Sequence, residues 1–222
     1  MKYLLLLFSS IILFSGEHLK KKVIDRNARK KDTLIYSASG KILGSTYQAD
    51  YRSNSILYVI NSKKDTITKQ EEIGIAPNSL KFEDFNKDGK LDIRYGYNSN
   101  YYYEMILLFD SNTKKFKKIE NVDSPEYAYS KKIKNTDLYY SYSPNGCGKN
   151  NWISYLFSIK DYKIIPKGLI EYRQCINDKK GMYVFKIDIE KKILIDKVNL
   201  KESDKKSLET QWNLYRKKIA SP

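Results

Sequence analysis

One stretch of the chain carries oxygen-bearing side chains at a spacing that suits metal chemistry: Asp84-Phe85-Asn86-Lys87-Asp88-Gly89-Lys90-Leu91-Asp92. Asp84, Asn86, Asp88 and Asp92 occupy relative positions 1, 3, 5 and 9, with a glycine at 6, the front of a calcium loop of the EF-hand type. A hard dication takes six to eight oxygens at about 2.3–2.6 Å, and a tight loop can aim alternate side chains at one point. Gly89 permits the sharp turn, because glycine enters the left-handed region without a Cβ penalty. Lys90, at position 7, would offer its backbone carbonyl. Position 12, where a bidentate glutamate normally sits, is Tyr95, so the remaining ligands must come from water or from elsewhere in the fold. The plainer alternative is an Asx-rich turn between two strands that holds no metal.

The rest of the sequence offers little to catalysis. The only histidine is His18, near the N-terminus, so neither a Ser-His-Asp nor a Cys-His set can be assembled in the body of the chain. Gly146-Cys147-Gly148-Lys149 lacks the spacing of a phosphate-binding loop. Glu104, Asp110 and Glu171 are the carboxylates available for glycoside cleavage, with nothing to single out a pair. Tyr95, Tyr97, Tyr101 and Tyr103 share one parity along an extended segment. They form either an aromatic recognition platform for a sugar or peptide, or cross-strand packing. The only cysteines, Cys147 and Cys175, are expected to pair, closing a loop worth roughly 3–4 kcal/mol on the chain-entropy estimate.

The elements that must position these residues are strands. Lys2 and the apolar run Tyr3 to Phe14 read as a secretory signal over residues 1–16, too short to span a bilayer. Residues 17–32 form a basic tether. No later stretch is apolar enough to span a membrane. From Thr33 onward, short β-branched and aromatic runs alternate with Asn, Asp, Gly, Ser and Lys at a spacing of about 8–12 residues. The pattern predicts one all-β domain over 33–222, propeller-like or a β-sandwich. Its strands include 42–51, 79–83, 91–97, 101–110 and 127–133. Leu208, Trp212, Tyr215 and Ile219 recur at helical spacing and predict a C-terminal helix over 203–219, capped by Ser203 and packed on a sheet. The formal net charge is +15. The lysines are scattered through turns and strand edges, which argues against nucleic acid as a partner.

Residues Ser79 to Cys175 resemble a family of exported bacterial β-propeller-like proteins that includes periplasmic lysozyme-inhibitor and immunity-type proteins. The resemblance rests on the aspartate-rich loop, on Tyr101-Tyr102-Tyr103, on Leu108 to Phe116, on Ser124-Pro125 and on Trp152 to Leu156, in that order. It implies a propeller-like domain with calcium at Asp84, Asn86, Asp88 and Asp92. It also implies a non-catalytic role, periplasmic or extracellular, binding a protein partner such as a cell-wall lytic enzyme. A basic inhibitor implies a neutral or acidic target. An envelope protein that binds or hydrolyses glycan is the alternative.

Overall fold

The computed structural model describes residues 32–71, 76–98, 102–147, 150–175, 180–189, 191–199 and 207–220. The signal and nearly all of the tether, Tyr101 and Ser203 lie outside the described residues. Among the described residues the domain is all-β, with three antiparallel sheets and one α-helix. The first sheet runs β1 (Leu34–Ile42), β2 (Ser45–Arg52), β3 (Ile56–Asn61) and β4 (Thr66–Glu71). The second runs β5 (Ser79–Glu83), β6 (Asp92–Asn98), β7 (Tyr102–Asp110) and β8 (Lys115–Lys118). The third holds β9 (Lys131–Lys132), β10 (Leu138–Tyr140), β11 (Ser143–Pro144), β12 (Trp152–Lys160), β13 (Lys163–Arg173), β14 (Gly181–Asp188) and β15 (Lys191–Val198). Within each sheet neighbouring strands follow one another in sequence, except for short β11, which pairs beside β10 on β12.

Two sequence expectations are corrected here. The run 42–51 is not one strand. Leu43 and Gly44 both adopt positive φ, 49° and 82°, and split it into the β1–β2 hairpin. The run 127–133 is not a strand either. A 3-10 turn, Pro125–Tyr127, opens it, and only Lys131–Lys132 pair with a neighbour. Proline at the first helical position favours that turn.

Pleat alternation decides what each sheet faces. On the second sheet the register places Phe82, Ile93, Tyr95, Leu107, Phe109 and Phe116 on one face. This apolar face meets the first sheet: the Tyr47 ring lies edge-on to Phe109 at 5.6 Å and to Phe116 at 5.8 Å. Thr68 of β4 seals the far side, its hydroxyl donating to the Phe116 carbonyl and accepting from the Phe116 N–H. The opposite face of the second sheet carries Glu83, Arg94 and Glu104, joined in one ion network. A column of stacked rings, Phe85 on Tyr139 at 5.2 Å and Tyr139 on Phe157 at 5.6 Å, ties this sheet to the third.

The helix α1 (Leu208–Ala220) covers the outer face of the third sheet. Trp212, Tyr215 and Ile219 are buried against Ile170, Met182 and Val184, as the helical stripe predicts, so the apolar stripe is core. Ser207 caps the helix: its hydroxyl accepts the Thr210 N–H at 3.2 Å. Trp212 is fully buried and donates its indole N–H to Ser154 Oγ at 2.8 Å, and Ser154 donates in turn to the Ser141 carbonyl. Cys147 and Cys175 form the expected disulfide across the end of the third sheet. Among the described residues no helix is long and apolar enough to cross a membrane.

Where β1 meets β5, Gly40 admits the Phe82 ring. A Cβ on residue 40 would stand 2.7 Å from Phe82 Cγ and 2.9 Å from Phe82 Cβ, atoms that cannot swing clear. Gly40→Ala is therefore expected to cost about 1–3 kcal/mol. At a slope of roughly 2–4 °C per kcal/mol for a domain this size, it lowers Tm by several degrees. Ser39→Ala, at the exposed neighbour, is expected to leave Tm unchanged; equal melts for the two variants would contradict the close packing.

Candidate metal loop

The aspartate-rich loop joins β5 to β6, as expected from the sequence. Its side chains shape it from within. Asp84 Oδ1 accepts the Asp88 N–H and Asp84 Oδ2 accepts the Gly89 N–H, both at 3.1 Å. Asn86 Oδ1 accepts the Asp88 N–H at 3.0 Å, and Asp88 Oδ1 accepts the Lys90 N–H at 2.9 Å. These overlapping Asx turns bend the chain through left-handed residues at Lys87 and at Gly89, whose φ is +83°. The space where a Cβ on Gly89 would stand is open, so it is the backbone angle that requires glycine there.

Asp92 anchors the loop. It is buried, and its carboxylate accepts three backbone N–H groups: Phe109 at 2.9 Å on one oxygen, Phe85 at 3.1 Å and Asn86 at 3.3 Å on the other. The base of the loop is thereby fastened to β7. Lys132 of β9 reaches over from the third sheet and donates to the Asn86 carbonyl at 2.6 Å. With Lys87 and Lys134 it lines a basic cleft of about 470 Å³ beside the loop.

The donor set is all oxygen, the chemistry a hard dication requires. The carboxylates and the Asn86 carbonyl keep lone pairs beyond those already used, since each carboxylate has about four acceptor sites. Three features work against a complete site. Among the described residues no three acidic, histidine or cysteine side chains converge as metal ligands. The Lys90 ammonium already lies 3.4 Å from Asp88 Oδ2. Tyr95, at the twelfth position, is fully buried and contributes no carboxylate.

The three described tyrosines of the expected platform pack toward the core. Tyr95 and Tyr97 are buried with their rings edge to face at 5.8 Å, on the face of the second sheet that meets the first. Tyr103 is half-buried and packs on the same core. The aromatic pair that does reach solvent joins Tyr102 to Tyr129, stacked at 4.3 Å, with Tyr129 exposed. Tyr129 has a positive φ, a feature its sequence context does not signal.

The three carboxylates considered for hydrolysis all have partners. Glu104 is buried and paired with Arg94, which also holds Glu83 at 2.9 Å. Asp110 holds Lys117 at 2.6 Å and caps the β7–β8 turn through the Asn112 N–H. Glu171 is paired with Arg173 and, at 3.4 Å, with Lys192. Arg94 is the residue that the sequence reading overlooked. Its place two residues along β6 from Asp92, across from Lys81 and Ile106 and diagonal to Glu83 and Glu104 on the flanking strands, follows only from the register.

Burial pushes the Asp92 carboxyl up to about 7, and the nearby Asp88 charge adds to this, while the three backbone N–H groups pull it down. An unfolded aspartate titrates near about 3.9. The folded form thus holds its proton longer: the stabilisation is complete below about pH 4 and is lost as pH rises through about 7. With chelator present, Tm is expected to fall across this window, and Asp92→Asn should flatten that fall. A slope unchanged in the asparagine variant would assign the effect to other groups.

No family model matches the sequence, and no curated protein matches it. Among solved structures, the chain is similar in fold to a Xanthomonas type IV secretion system related protein. The TM-score is 0.52 at 11% identity, over 74% of this chain and 98% of that one.

Proposed function

We propose that the chain is an exported, non-catalytic binding protein whose scaffold is stiffened by calcium at the 84–92 loop. It acts on a protein partner in the cell envelope, as an inhibitor or immunity-type protein against a cell-wall lytic enzyme. The observation that carries this reading is the loop itself, an all-oxygen turn whose buried Asp92 accepts two N–H groups of the loop and one from β7 of the second sheet. Calcium held by Asp84, Asn86, Asp88 and the Lys90 carbonyl, with Asp92 at the base, would supply charge neutralisation and stiffness. The engagement of Glu104, Asp110 and Glu171 in ion pairs favours binding over hydrolysis. The disulfide is compatible with an oxidising compartment, and the secretion-system label of the structural neighbour is compatible with an envelope setting. Three meanders in series also suit the propeller-like arrangement that the resemblance implies, with each sheet a blade.

Calcium at 100 times its dissociation constant is expected to stabilise the protein by about 2.7 kcal/mol. For a domain of this size that is a rise of roughly 5–10 °C in Tm over the chelated state. Asp88→Ala should abolish the rise. Lys90→Ala keeps the backbone ligand and removes the competing ammonium, so it should tighten calcium by up to about fivefold. The partner reading is tested on muramidases of differing charge, assayed with and without the purified protein. Stoichiometric loss of lysis by a neutral or acidic enzyme supports it. Cleavage of peptidoglycan by the protein alone would replace it with the glycan-hydrolysing alternative.

A further inference from the structure

Arg216 stands in the last two turns of α1, half-buried. Its Nε is buried and has no hydrogen-bond partner, and no ion pair among the described residues includes it. Native proteins satisfy nearly all buried donors, because an N–H stripped of water and left without an acceptor is costly. A buried guanidinium Nε without an acceptor at the wall of a cleft therefore points to a ligand. The cleft beside Arg216 has a volume of about 380 Å³, within the range of small-molecule sites. Its floor is apolar, made by Leu138, Leu156 and Ile219, which belong to the core under α1. Lys167 and Lys186 line it as well, and Asp188, the one acid on its wall, lies beyond ion-pair distance of Arg216. Gly168 brings helix and sheet into contact at its base, since a Cβ there would stand 2.6 Å from Ile219 Cδ1.

We propose that this cleft binds an amphiphilic anion, with a carboxylate or phosphate head held by Arg216 and an apolar chain laid on the Leu138–Leu156–Ile219 floor. The guanidinium presents planar, forked donors that match both head groups. The lysines add cationic charge, and the floor excludes a fully hydrated ion as the complete ligand. The site is on the far side of the third sheet from its interface with the second, under α1, and does not depend on the calcium reading.

The test uses the full exported chain, with calorimetry and thermal shift against octanoate and octyl phosphate. Inorganic phosphate serves as the head alone and octyl glucoside as the tail alone. Octanoate or octyl phosphate is expected to bind and raise Tm, with both controls at least tenfold weaker. Arg216→Met should lower affinity at least tenfold, Arg216→Lys should lose part of it, and Lys191→Gln on the sheet edge should change nothing. Without ligand, Arg216→Met is expected to melt at or above the wild-type temperature. Sedimentation with phosphatidylglycerol vesicles separates the sources: co-sedimentation assigns a lipid headgroup, and its absence alongside octanoate binding assigns a free acid. Equal binding of inorganic phosphate, unchanged affinity in Arg216→Met, or no binding of either amphiphile would overturn the proposal. So would clear destabilisation of ligand-free Arg216→Met, which would mean that the guanidinium already has its partner within the chain.

Discussion

A single buried carboxylate, Asp92, sets the relation between the loop and the sheets. Its two oxygens gather amide donors from two places, Phe85 and Asn86 of the loop and Phe109 of the β7 strand. Buried backbone N–H groups must find acceptors, and here one side chain serves three of them. The loop is therefore fastened at its base whatever occupies its tip. The burial that makes this anchorage effective also makes the ionised carboxylate costly, so the same residue is a stabiliser and a source of pH dependence.

Charge on the inward side of the second sheet follows the same rule of complete pairing. Arg94 lies between Glu83 and Glu104 and stacks its guanidinium 5.7 Å from the Phe85 ring. A buried pair of this kind adds little net stability over an apolar substitute, but removing one member leaves an uncompensated charge. It favours the alignment of β5, β6 and β7, because a slip of any one strand by one residue would turn its charge to the other face and leave the network unpaired. Arg216 is the contrast: its buried Nε has no hydrogen-bond partner, and no ion pair among the described residues includes it.

Much of the fold is legible in the sequence because hairpin turns and period-two alternation are local signals. The aspartate-rich loop, the cysteine pair and the stripe Leu208–Trp212–Tyr215–Ile219 all fall where their spacing puts them. What was not legible depends on residues distant in sequence. Leu43 accepts a left-handed backbone beside Gly44, and a leucine does not advertise that. Lys131 and Lys132 read as part of a longer strand, while the preceding proline turn withdraws the residues before them from any ladder. Tyr95 and Tyr97 share the parity of a platform, but parity alone does not say which face is covered. The first sheet supplies the cover, and nothing near residue 95 in sequence reports it.

The sheets are built almost entirely from strands adjacent in sequence, so the domain's topology is dominated by short-range closure. Such folds assemble faster than those that must first join distant segments. The one covalent cross-link lies wholly within the third sheet, between residues 147 and 175. The first two sheets can thus form their ladders and bury Tyr47 against Phe109 before any thiol is oxidised. For a chain delivered N-terminus first, oxidation becomes a finishing step that secures the last meander to appear, leaving the earlier two indifferent to the redox state of the surroundings.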